Sequence, residues 1–149
     1  MFSIRSTVKT LLGLLCIGSV VTFLRYPVLV NSSFALHPLD EAPPAWLMKS
    51  LMDGAPLFFY FSDINYHGLS IGLAAIPFFW IFGVNALAYK LPALMFHSIY
   101  ILTTYFIAKK IDRSIGLLVV FLMLLAPWYI IGITCQNWPH HLVALLGNI

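Results

Sequence analysis

The 149-residue chain carries few charges: 61% of its residues are hydrophobic, 9% are charged, and the formal net charge is +3. Soluble domains are about 45–50% apolar and about 25% charged, so a soluble fold of this size could not cover so much apolar surface. The eight basic residues are scattered rather than gathered in one stripe, which argues against a nucleic-acid partner. The composition therefore predicts an all-α integral membrane protein that has the lipid bilayer as its first partner.

The first apolar segment, residues 11–30, has the length of a membrane crossing. Arg5 and Lys9 precede it, and the positive-inside rule then places the amino terminus in the cytoplasm. A secretory signal peptide is the alternative, because residues 33–35 (Ser-Phe-Ala) loosely resemble a cleavage site. We expect a crossing, since apolar character continues to Val30 and more apolar segments follow.

A long first outer loop, residues 31–68, is expected to follow on the non-cytoplasmic side. Four of the five acidic residues of the chain fall within it, namely Asp40, Glu41, Asp53 and Asp63. Residues 44–52 are predicted to form a short helix that lies flat at the membrane surface, with Trp46 at the depth that interfacial aromatic residues favour. Asp53 and the glycine after it are explained by the turn that ends this helix.

The next apolar segment, residues 69–84, is predicted to be re-entrant or juxtamembrane. At 1.5 Å per residue it would be about 24 Å long, short of a hydrocarbon core of about 30 Å. The basic cluster at residues 109–113 is also expected in the cytoplasm, so the chain must recross an odd number of times after the first loop. Residues 91–110 are the predicted crossing. The alternative is that both segments span and that the basic cluster departs from the charge rule.

Residues 115–134 are predicted to cross back outward. The expected fold thus has three to four transmembrane helices and a long first outer loop that contains juxtamembrane or re-entrant helices. The predicted location is a bacterial inner membrane or an equivalent one, with the protein passing through it several times. Within the second crossing, His97 is expected to be a neutral imidazole hydrogen-bonded between packed helices.

Asp40 and Glu41 are the most informative pair in the loop. Adjacent carboxylates before a helix commonly cap its free backbone N–H groups. Two carboxylates held near a membrane face also offer a general base, or a cation site for phosphate-linked substrates. From the spacing alone capping is favoured, and the loop context makes the two interpretations about equal. A divalent cation therefore stays open as a cofactor.

Several short motifs resemble the polytopic glycosyltransferases related to protein O-mannosyltransferases and lipid A aminoarabinose transferases. The matching motifs are residues 37–42 (His-Pro-Leu-Asp-Glu-Ala), 58–61 (Phe-Phe-Tyr-Phe), 65–69 (Asn-Tyr-His-Gly-Leu), 82–85 (Phe-Gly-Val-Asn) and 90–93 (Lys-Leu-Pro-Ala). The resemblance covers nearly the whole chain. Such enzymes are several hundred residues long, so it implies the amino-terminal portion of one.

The resemblance implies transfer of a sugar from a polyprenyl-phosphate donor to an acceptor hydroxyl on the periplasmic or luminal side. Asp40 and Glu41 match the acidic pair of the family, in which one carboxylate acts as the base. His67 and Lys90 match basic positions that could contact the carrier phosphate, and Lys90 stands where the family usually has arginine. Asp63 and Tyr66, which neighbour His67, are the further candidates for substrate binding.

One departure from the family supports an alternative function. After the third crossing the family often places an arginine and an aspartate, whereas residues 135–141 contain neither. The alternative is a non-catalytic, truncated or degenerate membrane protein that packs with a partner subunit. A small transporter or channel subunit is a third hypothesis, with fewer polar residues on its predicted crossings to support it.

Overall fold

The computed structural model describes residues 4–30, 42–56, 60–61, 64–68, 70–127, 131–132, 134–135 and 146–147. Five helices make up most of this part: α1 (Ile4–Val30), α2 (Ala42–Met52), α3 (Ser70–Phe82), α4 (Ala86–Ala108) and α5 (Arg113–Leu124). Between α2 and α3 lies a short antiparallel pair of strands, β1 (Tyr60–Phe61) and β2 (Ile64–Gly68). The predicted helical fold is confirmed, and the strand pair is an addition that the sequence analysis did not predict.

Two helices are long and apolar enough to cross a membrane. They are the Leu11–Val30 part of α1 and the whole of α4. Their lengths of 20 and 23 residues correspond to about 30 and 34 Å, enough for a hydrocarbon core of about 30 Å. The 13 residues of α3 reach only about 20 Å, which agrees with the prediction of a short segment there.

The predicted crossing over residues 115–134 is not one continuous helix. The helix in this stretch, α5, has 12 residues, and a turn at Leu125 follows it. Hydrogen bonds from the Ile131 N–H to the Pro127 carbonyl and from the Cys135 N–H to the Ile131 carbonyl mark a separate helical turn. Pro127 has no N–H to donate and disfavours helical backbone at the residue before it, so one continuous helix does not form.

Helix α4 starts five residues earlier than predicted, at a tight corner after α3. Gly83 adopts a φ of 76°, in the left-handed region that glycine tolerates, and turns the chain. The Asn85 side chain then closes the corner, because its Oδ1 accepts from the Ala88 N–H at 2.9 Å and its Nδ2 donates to the Phe82 carbonyl at 2.9 Å. Lys90, which precedes the predicted crossing over residues 91–110, consequently lies inside α4.

The helices pack around α4, which contacts α1, α3 and α5. One apolar cluster joins Val21, Val28 and Leu29 of α1 to Leu94 and Ile101 of α4. A second cluster joins α2, α3 and the start of α4. The large apolar side chains on the remaining faces of α1 and α5 are exposed, as they would be on surfaces that face lipid.

Met48 attaches helix α2 to α3. Its side chain is fully buried, and it lies so close to Gly72 that a Cβ at that glycine would come within 2.9 Å of Met48 Cγ. We expect Met48→Ala to weaken this attachment by about 2–5 kcal/mol, since a large buried side chain is lost. Hydrogen exchange of α2 amides measures the effect. Trp46→Ala on the exposed side of α2 is the matched control, and equal exchange in both variants would contradict the expectation.

Candidate functional site

Three of the predicted site residues, Asp40, Glu41 and Asp63, lie outside the described residues. Their proposed roles as base and substrate ligand therefore stay predictions. The backbone of Tyr66 and His67 is described and belongs to β2, the strand that leads into α3. In that pair of strands Gly68 is the partner of Tyr60, so β2 folds back on the aromatic segment before it.

Lys90 is a buried cation of α4. Only 2% of its surface is exposed, and the neighbouring Tyr89 is also buried. Burying an ammonium group is costly unless other groups compensate its charge. Lys90 and His97 are seven residues apart, which places them on one face of the helix about 10 Å from each other. Both residues are buried, so this face of α4 carries polar groups inside the packed helices.

A second buried cation, Arg25, lies near the end of α1 and is fully inaccessible to solvent. Its Nη2 lies 3.1 Å from Nε2 of His97, and its Nε donates to Oγ1 of Thr134 at 3.0 Å. The guanidinium thus joins α1, α4 and the turn after α5. Its third nitrogen, Nη1, is buried and makes no hydrogen bond in the described part of the chain.

The contact with Arg25 determines the tautomer of His97. A guanidinium nitrogen can only donate, so Nε2 of His97 must accept, and the proton of the neutral ring sits on Nδ1. The imidazole is 7% exposed and bridges two packed helices. This confirms the prediction of a hydrogen-bonded histidine between helices.

The described acidic residues are engaged elsewhere. Asp53 pairs with Lys49 one helical turn away on the surface. Asp112 accepts a hydrogen bond from the Ser114 N–H at 2.6 Å and caps α5. Backbone donation from Ser114 holds the pKa of Asp112 below its ordinary value. Neither carboxylate neutralises the guanidinium of Arg25.

Two apolar cavities lie between the described helices. A groove of about 630 Å³ runs between α1 and α4, with Thr22, Tyr26 and Ser98 among its lining residues. The second, of about 560 Å³, lies between α2 and the α3–α4 corner, and Trp46, Lys49 and Phe79 help to line it. Both offer apolar walls with few polar groups, as a hydrocarbon chain requires. Among the described residues, no three His, Cys, Asp or Glu side chains are grouped as metal ligands.

The sequence analysis did not identify Arg25 and Thr134 as interacting residues. Arg25 offered one signal, since it is a charge close to the end of an apolar helix of spanning length. Its contacts lie 72 and 109 positions away along the chain, and no local pattern indicates them. The site that the structure describes is thus a hydrogen-bonded group of Arg25, His97 and Thr134, with the buried Lys90 about two helical turns before His97 on α4.

No protein-family model, curated protein or solved structure matches this chain. The resemblance to polytopic glycosyltransferases therefore rests on the short motifs in the sequence.

Proposed function

We propose that this chain is part of a membrane glycosyltransferase that moves a sugar from a polyprenyl-phosphate donor to an acceptor hydroxyl. The observation that carries the proposal is the burial of two cations, Arg25 and Lys90, inside helices long and apolar enough to cross a membrane. Buried charges in such helices are costly and are usually retained for a function. The phosphate of the donor is an anion, and these two cations would attract it.

In this proposal α1 and α4 span the membrane and the amino terminus faces the cytoplasm. The loop of residues 31–68 then lies on the periplasmic or luminal side, with α2 at the membrane surface. Lys90 is in the second turn of α4, close to the end at which α2 and α3 pack. A cation in this position suits a phosphate at the boundary between hydrocarbon and water, where the phosphate of a lipid-linked sugar lies.

The proposed reaction is a single inverting displacement. The Asp40 carboxylate takes the proton of the acceptor hydroxyl, and the acceptor oxygen attacks the anomeric carbon of the sugar. The bond between that carbon and the phosphate oxygen breaks, so polyprenyl phosphate leaves with the electron pair. Lys90 stabilises the charge that builds on the departing phosphate. Glu41 supports the base, and His67, Tyr66 and Asp63 bind the sugar or the phosphate.

A transfer assay with substitutions at Lys90 tests the proposal. Membranes that hold the protein are incubated with polyprenyl phosphates that carry a labelled hexose or pentose, and loss of label from the lipid is measured. We expect Lys90→Met to lower kcat/KM by about 10- to 100-fold, because a charge-assisted contact is worth about 1.5–3 kcal/mol. Lys90→Arg keeps the charge and should retain most of the transfer.

The surface variant Lys49→Met is the matched control for loss of one lysine, and it should transfer at the rate of the unchanged protein. Size-exclusion chromatography shows whether each variant is folded. Absence of transfer from every donor by folded protein in its membrane would contradict the proposal and favour the non-catalytic alternative. Full activity of folded Lys90→Met would show that Lys90 takes no part in the transfer.

A further inference from the structure

The turn between α4 and α5 carries a concentrated positive charge. Residues 109–113, called the basic turn from here on, contain Lys109, Lys110 and Arg113, and all five residues are exposed. The one acid among them, Asp112, points its Oδ1 at the Ser114 N–H. Hydrogen bonding to the start of α5 thus occupies the only carboxylate of the turn, and no ion pair with its three cations is found in the described part of the chain.

The backbone of the basic turn is held by its own hydrogen bonds. The Lys109 N–H donates to the Tyr105 carbonyl at 2.8 Å, and the Lys110 N–H donates to the Ile107 carbonyl at 3.1 Å. The Ile111 N–H donates to the Ala108 carbonyl at 3.0 Å. Because these donors are satisfied within the turn, the cations project from a fixed backbone rather than from a loose loop.

Close packing of α5 on α4 also positions Lys109. Gly116 is buried, and a Cβ at this position would lie 3.1 Å from the Tyr105 ring and 3.2 Å from Lys109 Cβ. The ammonium of Lys109 lies 5.6 Å from the centre of the Tyr105 ring and 5.4 Å from that of Phe106. Such distances allow a cation–π attraction that keeps the ammonium beside the apolar end of α4.

Exposed apolar side chains surround these cations. Ile111, between Lys110 and Asp112, is 78% exposed, and Phe106, Ile107 and Ile115 are also exposed. An isoleucine presented this way gains stability by contact with hydrocarbon, whereas lysine and arginine beside it remain at the level of charged headgroups. This combination is typical of membrane-surface contacts.

We propose that the basic turn binds the headgroups of anionic phospholipids, with Ile111 inserted between their chains. The inference requires α4 to lie in a membrane, as in the proposed function, but it does not depend on sugar transfer. Anionic lipid rather than free phosphate is the partner, because a dissolved ion offers no cover for Ile111. An anionic headgroup is expected because the three cations of the basic turn are exposed. Each lysine or arginine near an anionic membrane surface strengthens binding to that surface by about fivefold.

Lipid selectivity of the reconstituted protein tests this inference. The full chain is placed in phosphatidylcholine vesicles with a trace of spin-labelled phosphatidylglycerol or spin-labelled phosphatidylcholine. The association constant of one label relative to the other is then measured. We expect phosphatidylglycerol to be preferred by about threefold or more at low salt. The preference should fall towards about onefold in 1 M NaCl, at which the screening length is about 3 Å.

Substitutions in the basic turn locate the effect. The triple variant Lys109→Gln, Lys110→Gln, Arg113→Gln should lose the preference. Lys110→Gln should lower it, and Lys49→Gln on α2 is the matched single control that should keep it. Ile111→Ser leaves every charge in place and should weaken the preference if the isoleucine inserts. An unchanged preference in the triple variant would overturn the inference.

Two more measurements separate the possible failures. Vesicle flotation in alkaline carbonate, which strips peripherally bound protein, shows whether each protein is embedded, and failure of the unchanged chain to float would contradict both this inference and the proposed function. An embedded chain without lipid preference would contradict this inference alone. Inorganic phosphate should reduce the preference only as much as NaCl of equal ionic strength does. A larger reduction would identify a site for free phosphate and overturn the choice of lipid.

Discussion

Asp40→Asn is expected to reduce sugar transfer by about 10²- to 10⁴-fold, the usual contribution of a positioned general base. The amide of asparagine keeps the size of the side chain but cannot accept the proton of the acceptor hydroxyl. The effect should appear in kcat, since binding of the donor involves other residues. Single-turnover transfer from a labelled polyprenyl-phosphate sugar measures the chemical step directly.

Asp53→Asn provides the matched control for that substitution. Asp53 lies in the same predicted outer loop, and its partner is Lys49 on the exposed side of α2. Exposed ion pairs contribute little to stability, so this variant should be folded and active. Glu41→Gln distinguishes the two neighbouring carboxylates, because only the residue that takes the proton should show the full loss. Normal turnover by folded Asp40→Asn would exclude this residue as the base.

Arg25→Ala is expected to destabilise the helical bundle by about 3 kcal/mol. The substitution removes two charge-assisted hydrogen bonds, leaves Nε2 of His97 without its donor, and opens a cavity in the contact between α1 and α4. Relief of the cost of burying the charge offsets part of this loss. Unfolding in mixed micelles by added sodium dodecyl sulfate measures the difference in free energy.

A double-mutant cycle between Arg25→Ala and His97→Ala isolates their shared contact. We expect a coupling energy of about 1.5–3 kcal/mol, because the hydrogen bond involves a charged group and is buried. The control cycle pairs Arg25→Ala with Ser50→Ala. It should show no coupling, because the Ser50 hydroxyl donates to the Trp46 carbonyl within α2. Additive effects of the Arg25 and His97 substitutions would mean that the contact between the guanidinium and the imidazole carries no stability of its own.

Continuous apolar runs were the part of the sequence from which structure could be predicted. Residues 11–30 coincide with the apolar part of α1, and the short length of 69–84 anticipates the short helix α3. A hydrophobic run does not reveal where a helix breaks inside it, however. Pro127 interrupts the stretch over 115–134, and its steric effect on the preceding residue was a stronger signal than the apolar content.

Interactions between distant residues were the part that could not be predicted. The capping role of Asn85, by contrast, is local. Its side chain accepts from the N–H three residues ahead, and asparagine before a helical run is a recognisable signal. The contacts of Arg25 depend instead on how α1, α4 and the turn after α5 come together. Because a single sequence contains no record of which helix faces meet, the contacts of Arg25 with His97 and Thr134 emerged only from the folded arrangement.

The corner at Gly83 and Asn85 has a consequence for the order in which the helices fold. All of its hydrogen bonds join residues within six positions of one another, from Phe82 to Ala88, so none needs α1 or α5 to form. The corner can therefore close as soon as this stretch leaves the ribosome. Helices α3 and α4 are therefore expected to pair as a local hairpin during folding, independently of the contacts that α4 makes with α1 and α5.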